Sequence, residues 1–427
     1  MHTLRKWLTP GMQVKRWLLL LLAGVTVLAL GIAYLLIDLY QTTSVPGALQ
    51  PAAAALTLQT VPQAARAVLF GLVGLALTLS GLIGLNRSLI GAVRPGGGRR
   101  LVDLVDRRRR ARSGPKVVAI GGGTGLSTLL RGLKEHSDTI TAIVTVADDG
   151  GSSGKLRRNL GVHPPGDFRQ CISALADTEP LMERLFEYRF GDGDLGGHAF
   201  GNLFVVAMTG ITGSFESALR ASSRVLAVRG TIVPSTLAHV TLFAELADSR
   251  VLRGEHQVPR GDAPIRRVFL EPPEPPAYPE AVSAILDADL VVLGPGSLYT
   301  SVLPNLLVPD IANAIAATAA PVLYVANVAT QPGETDGYSL DDHVGAIEAH
   351  LGRQVVDLVL ANDNLKPVLP DSWGVSAVRP ELREGGPRLV TGDVVNTARP
   401  TRHDPDKLAA ATVDLIRATG RRERSAA

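Results

Sequence analysis

Cysteine occurs once, at Cys171, so the chain can form no internal disulfide and no cysteine-rich zinc site. That usage suits a reducing compartment. Aromatic residues make up only 4% of the chain against 46% hydrophobic residues overall, which makes the expected core aliphatic. The nine histidines contain no HExxH or other metal-binding spacing. Acidic residues are scarce in one region alone: residues 1–116 hold 15 Lys+Arg against 3 Asp+Glu, and the remainder holds 28 against 37. The sequence pI of about 9.1 therefore belongs to the N-terminal region. An acidic body is poorly suited to tracking a phosphate backbone, so no nucleic-acid partner is expected.

The basic region has another reading. Trp17 to Ile37 is uncharged and so is Ala67 to Leu85, and each is long enough to span about 30 Å of hydrocarbon as a helix. The first run is longer than a signal-peptide core, and a second follows it. Arginines and lysines flank the pair on both outer sides, from Arg5 to Arg16 and from Arg87 to Lys116, while the connecting loop near 38–66 carries only Arg66. The positive-inside rule then puts both ends in the cytoplasm. The expectation is a two-helix membrane hairpin over 1–86 (spans about 17–37 and 67–85), a basic linker over 87–115, a cytoplasmic domain over 116–420 and a flexible tail over 421–427. The linker arginines suit anionic lipid headgroups or a solvated spacer equally.

From Lys116 the pattern becomes short β-branched runs alternating with helical stretches. VVAI (117–120), ITAIVTV (140–146), LVVLGPGS (290–297), VLYVAN (322–327) and VVDLVLAND (355–363) read as strands. LSTLLRGLKEH reads as an amphipathic helix. Continuous apolar strands alternating with helices predict an α/β fold with a doubly wound, mostly parallel sheet covered on both faces. Ligands in such sheets bind beyond the carboxyl ends of the strands, where strand order reverses.

Several loops at those ends carry ligand-type residues. GGGTGLS places Gly121, Gly122, Gly123, Thr124 and Gly125 directly after a strand and at the start of a helix, where glycines admit an anion to the helix N-terminus. It is not G-x-G-x-x-G, since counting from Gly121 ends on Leu126 and counting from Gly123 ends on Thr128, and it lacks the lysine of a Walker A loop. TVADDGGSSGKLRR ends the next strand with Asp148 and Asp149, followed by Ser152 and Ser153. One acid there suits ribose hydroxyls, two suit a magnesium ion bridging a diphosphate, and a solvated turn is the plain alternative. PPGDFRQC adds Asp167 and Arg169, and GHAFGNLF brings His198 near Asn202. GPGSLYTS supplies a second glycine turn with Gly294, Gly296 and Ser297, and NVATQPGET ends another strand with Asn327, Thr330 and Gln331. No G-x-S-x-G elbow or hydrolase triad is legible.

Taken in order, VVAIGGGTGLSTLLRGLK, ITAIVTVADDGGSSGKLR, PPGDFRQC, LFEYRF, GHAFGNLF, GPGSLYTSVLPNLL and TQPGETDGY resemble the bacterial gluconeogenesis factor family, a branch of the 2-phospho-L-lactate transferase-like superfamily. The resemblance covers most of the chain after Lys116. It implies a Rossmann-like three-layer fold, binding of a UDP-sugar such as UDP-N-acetylglucosamine, and a role in cell shape and wall synthesis on gluconeogenic carbon sources. Cell-wall synthesis proteins are the partners it implies, with self-association left open. The superfamily relative is a magnesium-dependent transferase of a phospholactyl group, which is the alternative activity. By matching motifs the cradle would include Gly122, Gly123, Thr124, Gly125, Asp148, Asp149, Asn202, Gly296, Ser297 and Thr330. Ala329 departs from the family's MTQPGET. The hairpin is absent from many members, which makes a membrane location a departure too.

Overall fold

The computed structural model describes residues 114–426 except Glu179, together with isolated positions before residue 77. The chain divides into two units, Met1–Asp106 and Arg107–Ala427. In the first unit the expected membrane hairpin lies outside the described residues but for isolated helical positions such as Val25, Val68 and Leu72. Among the described residues no helix is long and apolar enough to cross a membrane.

The second unit begins with β1 (Val117–Gly121), α1 (Gly123–Leu133), β2 (Ile140–Val144), α2 (Gly151–Leu160) and α3 (Gly166–Leu175). Helices α4 (Pro180–Glu187), α5 (Phe200–Thr212) and α6 (Phe215–Val225) follow, and then β3 (Thr231–Pro234). Strands β4 (Thr241–Leu246), β5 (Val251–Arg253) and β6 (Ile265–Glu271) precede α7 (Pro279–Leu286) and β7 (Leu290–Leu293). After these come α8 (Leu303–Leu306), α9 (Pro309–Ala317), β8 (Val322–Val325), α10 (Leu340–Leu351), β9 (Leu358–Asn362), β10 (Arg388–Gly392) and α11 (Pro405–Ala426).

Seven strands form one sheet in the order β10-β9-β8-β7-β1-β2-β3. Every pairing in it is parallel. The inner strands are buried at nearly every position, as in β1, β7, β8 and β9, because helices cover both faces of a parallel sheet. Their β-branched and leucine side chains suit that double burial. Helix α1 buries Leu126, Leu129, Leu130 and Leu133, a spacing of three and four that lays one stripe against the core. Strand order reverses between β1 and β7, so the connections leaving their carboxyl ends run to opposite faces of the sheet and leave a crevice there.

A second, antiparallel sheet, β5-β4-β6, was not foreseen. Its signal was present: β4 alternates half-buried and buried residues, the period of a strand with one covered face. On its open face Phe243 and Phe269 stack at 5.3 Å, with Arg253 and Arg267 over the rings.

Candidate functional site

Two glycine turns meet at the switch point. After β1 the chain enters α1 through Gly122, which is extended, and Gly123 at φ +60°. An L side chain pays about 1–2 kcal/mol for that left-handed conformation, which explains glycine there. After β7 the GPGS turn lies directly opposite. A Cβ on Gly125 would overlap the Pro295 carbonyl oxygen and sit 2.7 Å from the Gly296 Cα. Gly125 is therefore a packing glycine that lets α1 and the second turn touch. Asn305, wholly buried on α8, clamps the same junction: its Nδ2 donates to Gly121 O at 3.1 Å and Ser301 O at 2.8 Å. The sequence showed VLPNLL but gave Asn305 no role.

The turns enclose a cleft of about 430 Å³. Of the predicted site residues, Gly122, Gly123, Thr124, Gly125, Gly296, Ser297, Asn327, Thr330 and Gln331 line it. A hydrogen-bonded chain crosses it, from Asn327 Nδ2 to Gln331 Oε1 (3.2 Å) and from Gln331 Nε2 to Ser297 Oγ (2.8 Å). Thr330 is held by exchange with Ser376, donating its N–H to the Ser376 carbonyl and accepting the Ser376 N–H on Oγ1. Ala329 also lines the cleft, so the departure from the family motif removes bulk from its wall. Arg402 and His403, from the connection between β10 and α11, close the far side, and no sequence motif pointed to them. His403 is buried, its Nε2 is 3.1 Å from the Ala326 carbonyl, and burial pushes its pKa down to about 4. Gly121 and Gly294 end the two strands behind the cleft.

The remaining predicted residues do not line it. Asp149 is committed to the segment Glu255–Arg260: its Oδ1 accepts from the His256 backbone N–H at 3.0 Å and lies 2.7 Å from His256 Nδ1. Gly254 is required at that contact, since a Cβ there would overlap Asp149 Oδ2. Asp148 accepts from Gly150 N–H at 2.9 Å and from Ser153, whose Oγ in turn accepts from Gly166 N–H at 3.0 Å. Ser152 Oγ accepts from Asn202 Nδ2 at 2.9 Å and sits 3.0 Å from His198 Nδ1. The opening of α2 is thus pinned by contacts to other parts of the domain rather than turned to the cleft.

Magnesium needs roughly six oxygen ligands in octahedral geometry. Asp148 and Asp149 face separate partners, and among the described residues no group of three or more His, Cys, Asp or Glu side chains is placed to hold a metal ion. The acid pair does not fit that ion.

Asp167 stands directly behind the first turn. It accepts the Gly123 N–H, and a Cβ on Gly122 would overlap its Oδ2. Withdrawal from water, and then the Asp148 charge, raise its pKa to about 7. Glu334, buried and accepting from Thr300 Oγ1 at 3.2 Å, is raised by burial to about 7. Glu255 is raised to about 8 by burial and then by Asp148, Asp167, Glu334 and Asp149. A carboxyl cluster therefore backs the cleft, and Glu255 was not foreseen because it arrives from the inserted antiparallel region. Arg169 points elsewhere, into a neighbouring cavity.

Residues 117–376 match the domain family described as 2-phospho-L-lactate transferase CofD. A curated relative from Nostoc sp., named putative gluconeogenesis factor, is 48% identical over 95% of this chain and 91% of its own length. The gluconeogenesis factor of Bacillus subtilis is 46% identical over 71% of this chain and 98% of its own. The chain belongs to the gluconeogenesis factor family. A crystal structure of a UPF0052 family member from Bacillus halodurans shares the fold with a TM-score of 0.65. It is 43% identical and covers 70% of this chain and 98% of that one.

Proposed function

We propose that this gluconeogenesis factor family member is a membrane-tethered regulator that binds a UDP-sugar, such as UDP-N-acetylglucosamine, in the β1–β7 cleft. The observation that carries the reading is the pairing of two glycine turns across one crevice, joined by the Asn327–Gln331–Ser297 chain. Helix α1 carries no acidic residue in its own first turn, and although Asp167 takes the Gly123 N–H from behind, the helix dipole and the following N–H groups favour a diphosphate. Arg402 faces them from the opposite wall. Amide and hydroxyl groups of Asn327, Gln331 and Ser297 suit sugar or ribose hydroxyls.

Binding without turnover fits the lining. Its one imidazole, His403, is turned to a backbone carbonyl and stays neutral near pH 7. A general base needs reach to the reacting proton. The second reading, transfer of a phosphate-linked group, is favoured by Asp167, whose pKa of about 7 and place behind Gly122 suit acid–base work. Calorimetry of the full-length protein should show UDP-N-acetylglucosamine binding, weakened by ~1 kcal/mol in Gln331→Leu, the scale of one neutral hydrogen bond. No heat of binding in the wild type would sink the reading. Release of UDP or sugar during the same incubation would favour the transferase.

The tether rests on the two uncharged apolar runs and their arginine-rich flanks. An alignment with the Nostoc relative over 95% of the chain extends through most of the same region. A regulator held this way would act on cell-wall synthesis proteins at the membrane. A reporter fused after Ala427 should be cytoplasmic, and alkaline phosphatase activity from that fusion would overturn the orientation.

A further inference from the structure

Beside the cleft lies a second cavity of about 500 Å³ that the proposed function leaves unused. Five arginines line it: Arg131 from α1, Arg169 from α3, Arg189 just after α4, and Arg399 and Arg402 from the connection between β10 and α11. One carboxylate, Glu187, stands among them. It is shared out already, 3.8 Å from Arg131 and accepting from Ser173 Oγ at 3.3 Å. Arg189 Nη1 donates to the Gly197 carbonyl at 2.6 Å. Among the described residues Arg399 and Arg402 have no ion pair.

Guanidinium groups gathered from four chain segments repel one another unless an anion sits between them. Arg169 adds to the cost: its Nε is buried with no partner, and burial lowers its pKa. It packs on Gly201, where a Cβ would come within 2.6 Å of the Phe186 carbonyl oxygen and 2.7 Å of the arginine's Cγ. Gly201 belongs to the GHAFGN motif, which the cleft did not absorb. The absence of a side chain at Gly201 leaves room for the half-buried Arg169 that lines this space.

We propose that the cavity is a second anion site, built for a small molecule carrying at least two phosphate or carboxylate groups. Its volume lies in the ordinary range for small-molecule pockets, roughly 300–1,000 Å³. Arginine forks pair bidentately with either kind of oxyanion. Thr124, Thr128, Arg402 and His403 border both this cavity and the cleft, so the two ligands lie side by side. The site is independent of the identity of the ligand in the cleft.

The probe is inorganic pyrophosphate, titrated calorimetrically into the full-length protein. The double variant Arg189→Glu, Arg399→Glu alters two exposed residues that line only the second cavity. It should lose one bound pyrophosphate or weaken it by about tenfold or more, the scale of losing charged hydrogen bonds. UDP-N-acetylglucosamine affinity should stay within about twofold. A control, Arg266→Glu with Arg353→Glu, makes the same charge change away from the cavity lining and should bind pyrophosphate as the wild type does. The proposal is overturned if wild type binds no pyrophosphate, if the cavity variant binds it normally, if the control loses it equally, or if the cavity variant also loses the UDP-sugar. A wild type that ignores UDP-N-acetylglucosamine yet shows the pyrophosphate pattern would remove the proposed function and leave this site standing.

Discussion

Gly125→Val is expected to destabilise the domain by about 3 kcal/mol and to abolish ligand binding, the upper end for overpacking a tight contact. The obstruction is backbone, not a mobile side chain: the Pro295 carbonyl and the Gly296 Cα occupy the space. Neither can retreat easily, because β1 and β7 are adjacent paired strands and Asn305 clamps β1's end to the turn that follows β7. Gly123→Ala should behave differently. Its Cβ would meet nothing closer than 3.7 Å, so the cost is the left-handed backbone alone, about 1–2 kcal/mol. That variant should fold and still lose the ligand, because the methyl group enters the cleft. Thermal unfolding with parallel calorimetry separates the two. A Gly125→Val protein that melts like wild type would mean that the two turns are not in contact.

The second large effect is on pH dependence. Glu255 titrates near 8 in the folded protein, and Asp167 and Glu334 near 7, against ordinary values of 4.5, 3.8 and 4.5. Each folded value is raised, so the folded state keeps protons that the unfolded state has released. Their stabilising contribution is complete below the unfolded values and is lost as pH rises through 7 to 8. His163 and His403 act in the opposite sense, since burial depresses both to about 4, but their effect ends near pH 6.5. Between about pH 7 and pH 9 the carboxyls dominate, and the melting temperature should fall. Glu255→Gln should be more stable than wild type at about pH 9 by ~1–3 kcal/mol, and should flatten the slope. An identical slope in wild type and variant would show that Glu255 is well solvated.

The parallel sheet was legible because its strands are buried on both faces and so appear as unbroken apolar runs. All five strands read from the sequence lie in it. β3 and β10 escaped for different reasons: TIVP is only four residues ending in proline, and RLVTG is polar at both ends. Nine of the predicted site residues line the cleft, and these follow strands that were recognised. Asp148, Asp149, Ser152, Ser153 and Asn202 do not, although they sit in equally suggestive motifs. Their polar groups found protein partners, a choice that depends on His256 and His198 arriving from far along the chain and on Gly166 at the start of the next helix. Arg402 and His403 were invisible for the converse reason. They stand on a turn with no glycine signature, and only the return of α11 onto α1 brings them to the cleft.

That return has a consequence for how occupancy is felt. Pro405 begins α11 and its carbonyl lies where a Cβ on Gly132 would be, so the last helix is seated on the first. Asp404, the residue after the cleft-lining His403, caps α11, its Oδ1 accepting from the N–H groups of Asp406 and Lys407. A ligand in the proposed cleft, between Gly123 at one side and Arg402 at the other, would bridge the opening and closing segments of the domain. It would act as a clasp on the chain's own seam.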